Sequence, residues 1–324
     1  MIKINWLSAN IPKVAGGRGL GIRRQLSFCA VVESKGRENF MSDVSNRAFS
    51  SILHPTDFSA SSHAAFEHAL KIAAANRSRF NIYHVEKDKD DGPAWVEFPQ
   101  IRDTLERWKL LPEGSERRDV GEKLGVHVKK VERVSKKPLD AINQFLEQEH
   151  ADLIVLATEG REGLPRWLRP SLSEALVRRS MVATLFVPVG ARGFVSHTDG
   201  TVKLGRILVP TDRKPYPGIG IDVASGLIKS LDVPSPLLEA LYIGDAERMP
   251  SVNPPRDLTC SFQQRSRPGK PVDEILRRAE EMDADLIIMV TEGHHGFLDA
   301  LRGSTTEQIV RRAPCPVLAV PAAG

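Results

Sequence analysis

The feature that most constrains the fold of this chain is an internal repeat. The segment PLDAI at 138–142 recurs as PVDEI at 271–275, and ADLIVLATEG at 151–160 recurs as ADLIIMVTEG at 284–293. Both pairs lie 133 residues apart, so the alignment between them needs no gap. Two copies of one unit in a chain of 324 residues predict two domains of the same fold rather than one large core.

The front of the repeat fixes where each copy begins. ILHPTD at 52–57 recurs as ILVPTD at 207–212, 155 residues later. We expect residues 1–47 to be a disordered N-terminal extension, or the product of a start assigned too far upstream. The remaining boundaries that we predict are a first domain at 48–192, a linker at 193–203 and a second domain at 204–324.

Each copy alternates strand-like and helix-like segments. The strand-like segments are short continuous apolar runs, such as LIVLA at 153–157, rather than alternating ones. Strands of this kind belong to parallel sheets that helices bury on both faces. The sequence therefore predicts an α/β chain with two doubly wound, five-stranded parallel sheets in tandem. Their fifth strands, TLFVPV and PVLAVP, are expected to meet across an internal two-fold axis as a pseudo-dimer, which would cover both edges.

The first copy carries an insertion. Val85 and Ile243 lie 158 residues apart, whereas later matches lie 133 apart, which places 25 additional residues within 86–125. WVEFPQIRDTLERWKLL at 95–111 has apolar residues at helical spacing, and we expect an amphipathic helix packed on its own domain. A lid or a partner surface is the alternative.

Composition excludes several classes of protein. The three cysteines, Cys29, Cys260 and Cys315, are far apart and form no CxxC, so neither a zinc knuckle nor a disulfide framework is expected. No apolar run is long enough to span a bilayer. Residues 1–40 hold seven basic and two acidic side chains, which leaves the rest of the chain nearly neutral despite a net charge of +4. We therefore expect a cytoplasmic protein with no nucleic-acid partner and no membrane partner.

Two segments in each copy follow strands at the edge where open parallel sheets bind ligands. One is Pro-Thr-Asp after the first strand, and the other is a TEGxxG loop after the fourth. Glycines let backbone N–H groups approach an anion, and the loop leads into a helix whose N-terminus favours phosphate. Ser171 and Ser304 each open a capping box, which starts a helix with or without a ligand. Spacing alone leaves both interpretations open.

These motifs, in order, resemble the universal stress protein family. ILHPTDFS, an apolar second strand that ends in HV, the GxxG loop, a Gly-Ser pair and a terminal CPVLAVP carry the resemblance, over about residues 50–190 and 204–321. It implies an adenine-nucleotide alpha-hydrolase-like, Rossmann-like fold with strand order 3-2-1-4-5. It also implies ATP, with or without Mg²⁺, as the ligand, since some members of the family bind ATP and catalysis does not define it.

The resemblance assigns binding roles residue by residue. In the second copy it places the adenine at Pro210 and Ile243 and the ribose or adenine end at Asp212. The ribose and phosphates are assigned to Gly293, Gly296, Gly303, Ser304 and Thr305. The corresponding, weaker positions in the first copy are Pro55, Asp57, Val85, Gly160, Gly163 and Ser171.

Three departures from the family pattern weaken the phosphate end. The family spaces its second glycine nine residues from the Gly-Ser pair, whereas both copies have six: LPRWLR and FLDALR. Glu159 and Glu292 directly precede the first glycine, where a carboxylate repels phosphate unless a cation intervenes. Pro170 replaces the counterpart of Gly303 and removes an N–H donor. We therefore expect the second copy to be the main nucleotide site.

No catalytic residue and no metal site is predicted. The neighbouring His294 and His295 lack further ligands at suitable spacing, and His84 is better explained as a hydrogen-bonded strand histidine than as a base. Three functions remain open. They are nucleotide binding with a regulatory output in the stress response, a nucleotide-free interaction or chaperone-like module, and a weak ATP hydrolase. Protein partners or a homodimer are compatible with each.

Overall fold

A computed structural model describes residues 48–86, 98–158, 182–190, 192–214, 217–292 and 305–322. Its strands, in chain order, are β1 (Ser51–Thr56), β2 (Arg79–Glu86), β3 (His127–Val134), β4 (Leu153–Thr158), β5 (Ala183–Pro188), β6 (Arg206–Thr211), β7 (Leu237–Ile243), β8 (Ser261–Arg267), β9 (Leu286–Glu292) and β10 (Val317–Ala322). Its α-helices are α1 (Ala60–Asn76), α2 (Ile101–Arg107), α3 (Arg117–Leu124), α4 (Pro138–Glu149), α5 (Ile219–Ser230), α6 (Pro271–Glu281) and α7 (Thr305–Arg312).

The strands of the described residues form one sheet in the order β3-β2-β1-β4-β5-β10-β9-β6-β7-β8. Each half therefore has the predicted order 3-2-1-4-5, and neighbouring strands within a half are parallel. The halves join where β5 and β10 pair antiparallel, with Leu185 opposite Leu318 and Phe186 opposite Val317. The expected meeting of the fifth strands is confirmed. Its consequence is a single mixed sheet of ten strands rather than two separate five-stranded sheets.

Helices cover both faces of the sheet, which explains the continuous apolar strands. On one face, α1, α2 and α5 contribute residues such as Phe66, Leu105 and Ile221 to a buried cluster. On the other face, α4, α6 and α7 bury residues such as Phe145 and Ile309. The outer strands β3 and β8 contain only exposed and partly buried residues, as expected for edges.

Local signals in the sequence explain where several helices begin. Ser59 is the N-cap of α1, and its hydroxyl accepts a hydrogen bond from the Ser62 N–H at 3.3 Å. Pro138 and Pro271 occupy the first turns of α4 and α6, where a missing N–H costs nothing. No helix among the described residues combines the length and apolar character needed to cross a bilayer.

The insertion is only partly as predicted. The segment 95–111 contains helix α2, which is shorter than expected, and α3 follows it without having been predicted. Phe98, Leu105 and Trp108 are buried, as the prediction of a helix packed on its own domain requires. Trp108 also donates from its indole N–H to the His197 carbonyl at 3.3 Å. The insertion thus also contacts the segment predicted to link the two copies.

Candidate functional site

Strands β1 and β4 separate before their carboxyl ends. Their pairing ends at Leu53 and Ile154, although both strands continue beyond that point. At the separation, the buried His54 ring donates from Nδ1 to the Val155 carbonyl at 3.0 Å and so links the two strands through a side chain. A crevice between separated strands, at the point where strand order reverses, is the usual ligand position in open α/β sheets.

The second half repeats this separation without the histidine. Strands β6 and β9 pair only at Ile207 with Leu286 and at Leu208 with Ile287. Val209 occupies the position of His54, and a Cβ at Gly220 would lie only 2.6 Å from its Cγ1. Where the strands separate, the second half thus has a buried valine against which helix α5 packs closely, whereas the first half has a buried polar ring.

The predicted residues at the strand ends lie at these crevices. Asp57 is exposed directly after β1, and its Oδ1 accepts hydrogen bonds from the Ser59 N–H at 3.1 Å and the Ser59 hydroxyl at 2.5 Å. No hydrogen bond from the described residues uses its Oδ2. Asp212 is likewise exposed after β6, and its Oδ1 accepts from the Arg213 N–H at 2.6 Å. Both carboxylates are held by their own turns and present an oxygen to solvent.

The neighbouring strand ends supply apolar surface. Pro55 is paired with Tyr83 across β1 and β2, and Val85 is partly buried at the end of β2. In the second half, Pro210 and Ile243 are both partly buried at the corresponding ends. Each half therefore brings its proline, aspartate and aliphatic residue to one edge of the sheet, as the resemblance implies.

An aromatic stack at the first crevice was not predicted. Phe58 adopts a φ of 60° and stacks on His84, with ring centroids 4.0 Å apart, while Phe98 contacts Phe58 edge-on at 4.8 Å. The His84 Nδ1 donates to the Thr56 carbonyl at 2.8 Å, so this ring nitrogen is satisfied, as the hydrogen-bonded interpretation of His84 requires. Aromatic faces of this kind can stack on a planar ligand ring.

The second half lacks that stack. Tyr242 occupies the position of His84 and is buried, and a Cβ at Gly244 would lie 2.9 Å from its ring. Arg213, exposed, occupies the position of Phe58. A planar ligand would therefore meet an aromatic stack in the first half and a cationic side chain in the second.

Two buried threonines at equivalent positions have unpaired hydroxyls. Thr158 ends β4 and Thr291 lies near the end of β9, 133 residues later in the repeat. Neither Oγ1 has a hydrogen-bond partner among the described residues. Native proteins pair most buried polar atoms, so an unpaired hydroxyl in both halves marks the start of the glycine loop as unusual. The repeated Thr-Glu-Gly was the signal in the sequence that could have identified these residues.

The phosphate ends of both predicted sites lie almost entirely outside the described residues. The residues affected are Gly160, Gly163, Ser171, Gly293, Gly296, Gly303 and Ser304. The adjacent His294 and His295 are outside them as well. Thr305 is described, and it begins α7 in a partly buried position. The predicted phosphate contacts therefore stay predictions.

Burial sets the protonation state of the crevice histidine. His54 is fully enclosed, and this desolvation lowers its pKa to about 4, although the hydrogen bond to Val155 opposes the shift. Its Nδ1–H donates to a carbonyl, and its Nε2 lies 3.5 Å from the Ser62 hydroxyl. His54 is thus a neutral, buried ring at physiological pH, and its hydrogen bond links β1 to β4 where the two strands separate.

Comparisons with known proteins agree with this architecture. A universal stress protein of Methanocaldococcus jannaschii is 46% identical over 52 residues, which are 16% of this chain and 31% of the relative. One of Methanothermobacter thermautotrophicus is 41% identical over 63 residues, or 19% of this chain and 42% of the relative. The chain thus matches less than half of the length of these two relatives.

The structural and family comparisons cover more of the chain. A universal stress protein from Archaeoglobus fulgidus aligns with 84% of this chain and 98% of its own, at a TM-score of 0.52 and 18% identity, a likeness that shows the fold alone. The model of the Universal stress protein family matches residues 48–188 and 259–321. Because that match extends over more than half of the sequence, the chain belongs to the universal stress protein family.

Proposed function

We propose that this chain binds an adenine nucleotide at the carboxyl ends of its parallel strands and uses binding as a regulatory signal in the stress response. The observation that carries the proposal is the repeated crevice. In both halves the first and fourth strands separate at the point where strand order reverses, and an exposed aspartate stands at the edge. A ribose hydroxyl could donate to such a carboxylate, as in other nucleotide folds with a strand-end acid.

ATP, with or without Mg²⁺, is the nucleotide that we propose. Glycine-rich loops that lead into helices suit a polyphosphate, and the second copy keeps Gly303 where the first has Pro170. Arg213 and Lys214, both exposed beside Asp212, add positive charge at the second crevice. These features make the second half the main site, although the first half has the aromatic surface for a base.

The output is proposed to be regulatory rather than catalytic. The crevice residues that the structure describes offer hydrogen-bond acceptors and aromatic faces, and these groups bind and orient a ligand. His54 is enclosed and His84 donates through Nδ1 to a backbone carbonyl, so their visible roles are structural. ATP turnover that a single carboxylate substitution abolishes would contradict this part of the proposal.

Isothermal titration with ATP and Mg²⁺ tests the proposal. We expect wild-type protein to bind, Asp212→Ala and Gly303→Pro to weaken binding roughly tenfold or more, and Asp57→Ala to have a smaller effect, since one lost hydrogen bond to a charged group is worth about 1.5–3 kcal/mol. Glu113→Ala, an exposed carboxylate in the insertion, is the matched control. Absence of binding by the wild-type protein would overturn the proposal and favour a nucleotide-free interaction module.

A further inference from the structure

Away from the crevices, two histidines and a glutamate from separate parts of the chain converge on one point. His63 and Glu67 lie one turn apart on α1, and His197 lies in the predicted linker. The ligand atoms of all three lie within 4.8 Å of one another. The His197 Nδ1 is 2.6 Å from the Glu67 Oε1, and the His63 Nδ1 is 3.7 Å from the same oxygen.

We propose that His63, Glu67 and His197 bind a divalent transition-metal ion, for which Zn²⁺ is the best chemical match. Two imidazoles and one carboxylate are a ligand set that zinc sites use, with a fourth position left to water. A tetrahedral ion with bonds of about 2.1 Å needs ligand atoms about 3.4 Å apart. Binding thus requires the His197–Glu67 pair to open by less than about 1 Å, and the His63 distance is already close.

Burial and exposure at the cluster suit an ion that enters from solvent. The side chain of Glu67 is only 4% exposed, whereas those of His63 and His197 are 43% and 63% exposed. A nearly buried carboxylate strengthens attraction to a cation, because little water screens it. The two exposed imidazoles leave an open side through which the ion and its water can reach the carboxylate.

A competing cation already contacts the carboxylate. The Arg107 guanidinium donates from Nη2 to the Glu67 Oε1 at 2.7 Å. The two imidazoles and Arg107 all approach this same oxygen, and no contact of the described residues uses Oε2, so an ion bound at Oε1 requires Arg107 to move to Oε2. The same arginine donates from Nε to the His197 carbonyl at 3.0 Å and fixes the backbone of the linker ligand.

The linker is positioned before any ion binds. The His68 Nε2 accepts hydrogen bonds from the N–H groups of Phe194 and Val195, at 3.0 and 3.3 Å. A turn then closes between Ser196 and Thr201, whose backbones pair at 2.9 Å. Because neighbouring residues anchor His197 on both sides, an ion would meet a nearly formed site rather than a free loop.

A bound ion would fasten the segment between the two copies to helix α1. The linker at 193–203 is otherwise held by hydrogen bonds and by the buried side chains of Phe194 and Val195, whereas a metal–ligand bond would add a coordinate link to His197. The proposed site is independent of nucleotide binding, because none of its three ligands belongs to the crevice residues.

Metal titration of the full chain tests the proposal. Protein stripped with a chelator is titrated with Zn²⁺ in competition with a chromophoric chelator, and with Co²⁺ to observe the visible absorption of a low-coordinate site. Both titrations use a His294→Ala/His295→Ala background, because that adjacent pair could bind the probe elsewhere. We expect one Zn²⁺ equivalent, and a loss of affinity of roughly tenfold or more in His63→Ala, Glu67→Gln and His197→Ala.

His63→Ala is the decisive variant, since His63 makes the longest contact to Glu67 and its loss disturbs the folded protein least. His127→Ala, an exposed histidine on edge strand β3, is the matched control and should keep wild-type affinity. Amide hydrogen exchange should slow at 196–202 when Zn²⁺ is added to the wild-type protein but not to His63→Ala. Equal Zn²⁺ affinity in His63→Ala and His127→Ala, or no binding by the background protein, would overturn the proposal.

Discussion

At the residue scale, two buried histidines couple the stability of this chain to pH. Burial lowers the pKa values of both His54 and His68 to about 4. The His68 Nδ1–H donates to the Ala64 carbonyl at 2.7 Å, and its Nε2 accepts two N–H groups of the linker. Protonation of that Nε2 would remove the acceptor of both hydrogen bonds and place its N–H against two other N–H groups. The folded protein therefore requires the neutral ring.

The sign of the pH effect follows from these lowered pKa values. Between about pH 6.5 and pH 4 the unfolded chain binds a proton at each histidine that the folded chain excludes. Stability from this source is therefore complete above pH 6.5 and is lost progressively as the pH falls toward 4. Each histidine accounts for about 2 kcal/mol of unfolding free energy between pH 7 and pH 5.

A substitution found within the chain itself tests this effect. His54→Val introduces the residue that the second half has at Val209, and we expect the loss of unfolding free energy between pH 7 and pH 5 to shrink by about 2 kcal/mol. Urea denaturation at both pH values measures this, with the exposed His127→Ala as the control. An unchanged pH dependence in His54→Val would show that His54 is not the neutral ring described above.

At the scale of elements, the packing of the linker on the insertion is set by one glycine. Gly200 has a φ of +67°, and a Cβ there would lie 2.5 Å from the Trp108 Cδ2. Gly190 has a similar φ of +74°, but a Cβ there would meet nothing within 4 Å. Both positions have a left-handed backbone that favours glycine, but only Gly200 lacks room for a Cβ. Gly190 therefore serves as the control for Gly200.

We expect Gly200→Ala to destabilise the protein by about 1–3 kcal/mol more than Gly190→Ala, because only the former forces a methyl group into a buried indole. Urea denaturation followed by circular dichroism measures the difference. Trp108→Leu should reduce the cost of Gly200→Ala by removing the ring. Equal costs for the two alanine variants would mean that the linker does not pack on Trp108 as described.

The sequence predicted elements well where its pattern was periodic or repeated. The apolar run LIVLA at 153–157 lies within β4, since a short continuous apolar run is typical of a strand that helices bury on both faces. Helix α3 escaped prediction because Val120 is its sole buried residue, so no apolar periodicity marks it. The linker contacts to His68 and Glu67 join residues more than 120 positions apart, which no local pattern can encode.

The residues of the candidate sites also differ in whether the sequence could predict them. Asp57 and Asp212 were predictable because strand ends in parallel sheets meet at one edge. Phe58 stacks on His84 with a left-handed backbone, a conformation that phenylalanine rarely adopts. No sequence motif predicts that conformation. Two of the three proposed metal ligands, His63 and Glu67, are four residues apart in the sequence, a spacing that places them on one face of a helix, but His197 required the tertiary structure.

At the scale of the whole molecule, the antiparallel pairing of β5 with β10 makes one sheet out of two repeats. Leu185 and Leu318 lie opposite each other across that junction, and both are buried. Such cross-strand pairs and the backbone ladder around them couple the halves energetically. We therefore expect the wild-type protein to unfold in one cooperative step, as a single core would.

The distribution of tryptophan makes this cooperativity measurable. All four tryptophans precede residue 190, so their fluorescence reports on the first repeat and what precedes it, whereas far-ultraviolet circular dichroism reports on both repeats. The two probes should give coincident urea transitions in the wild-type protein. Leu318→Asp buries a carboxylate at the junction, so the dichroism transition should begin at lower urea than the fluorescence transition. Val134→Asp, at an exposed position on β3, is the control and should keep the two transitions coincident. If the transitions were already separate in the wild-type protein, the junction would not couple the repeats.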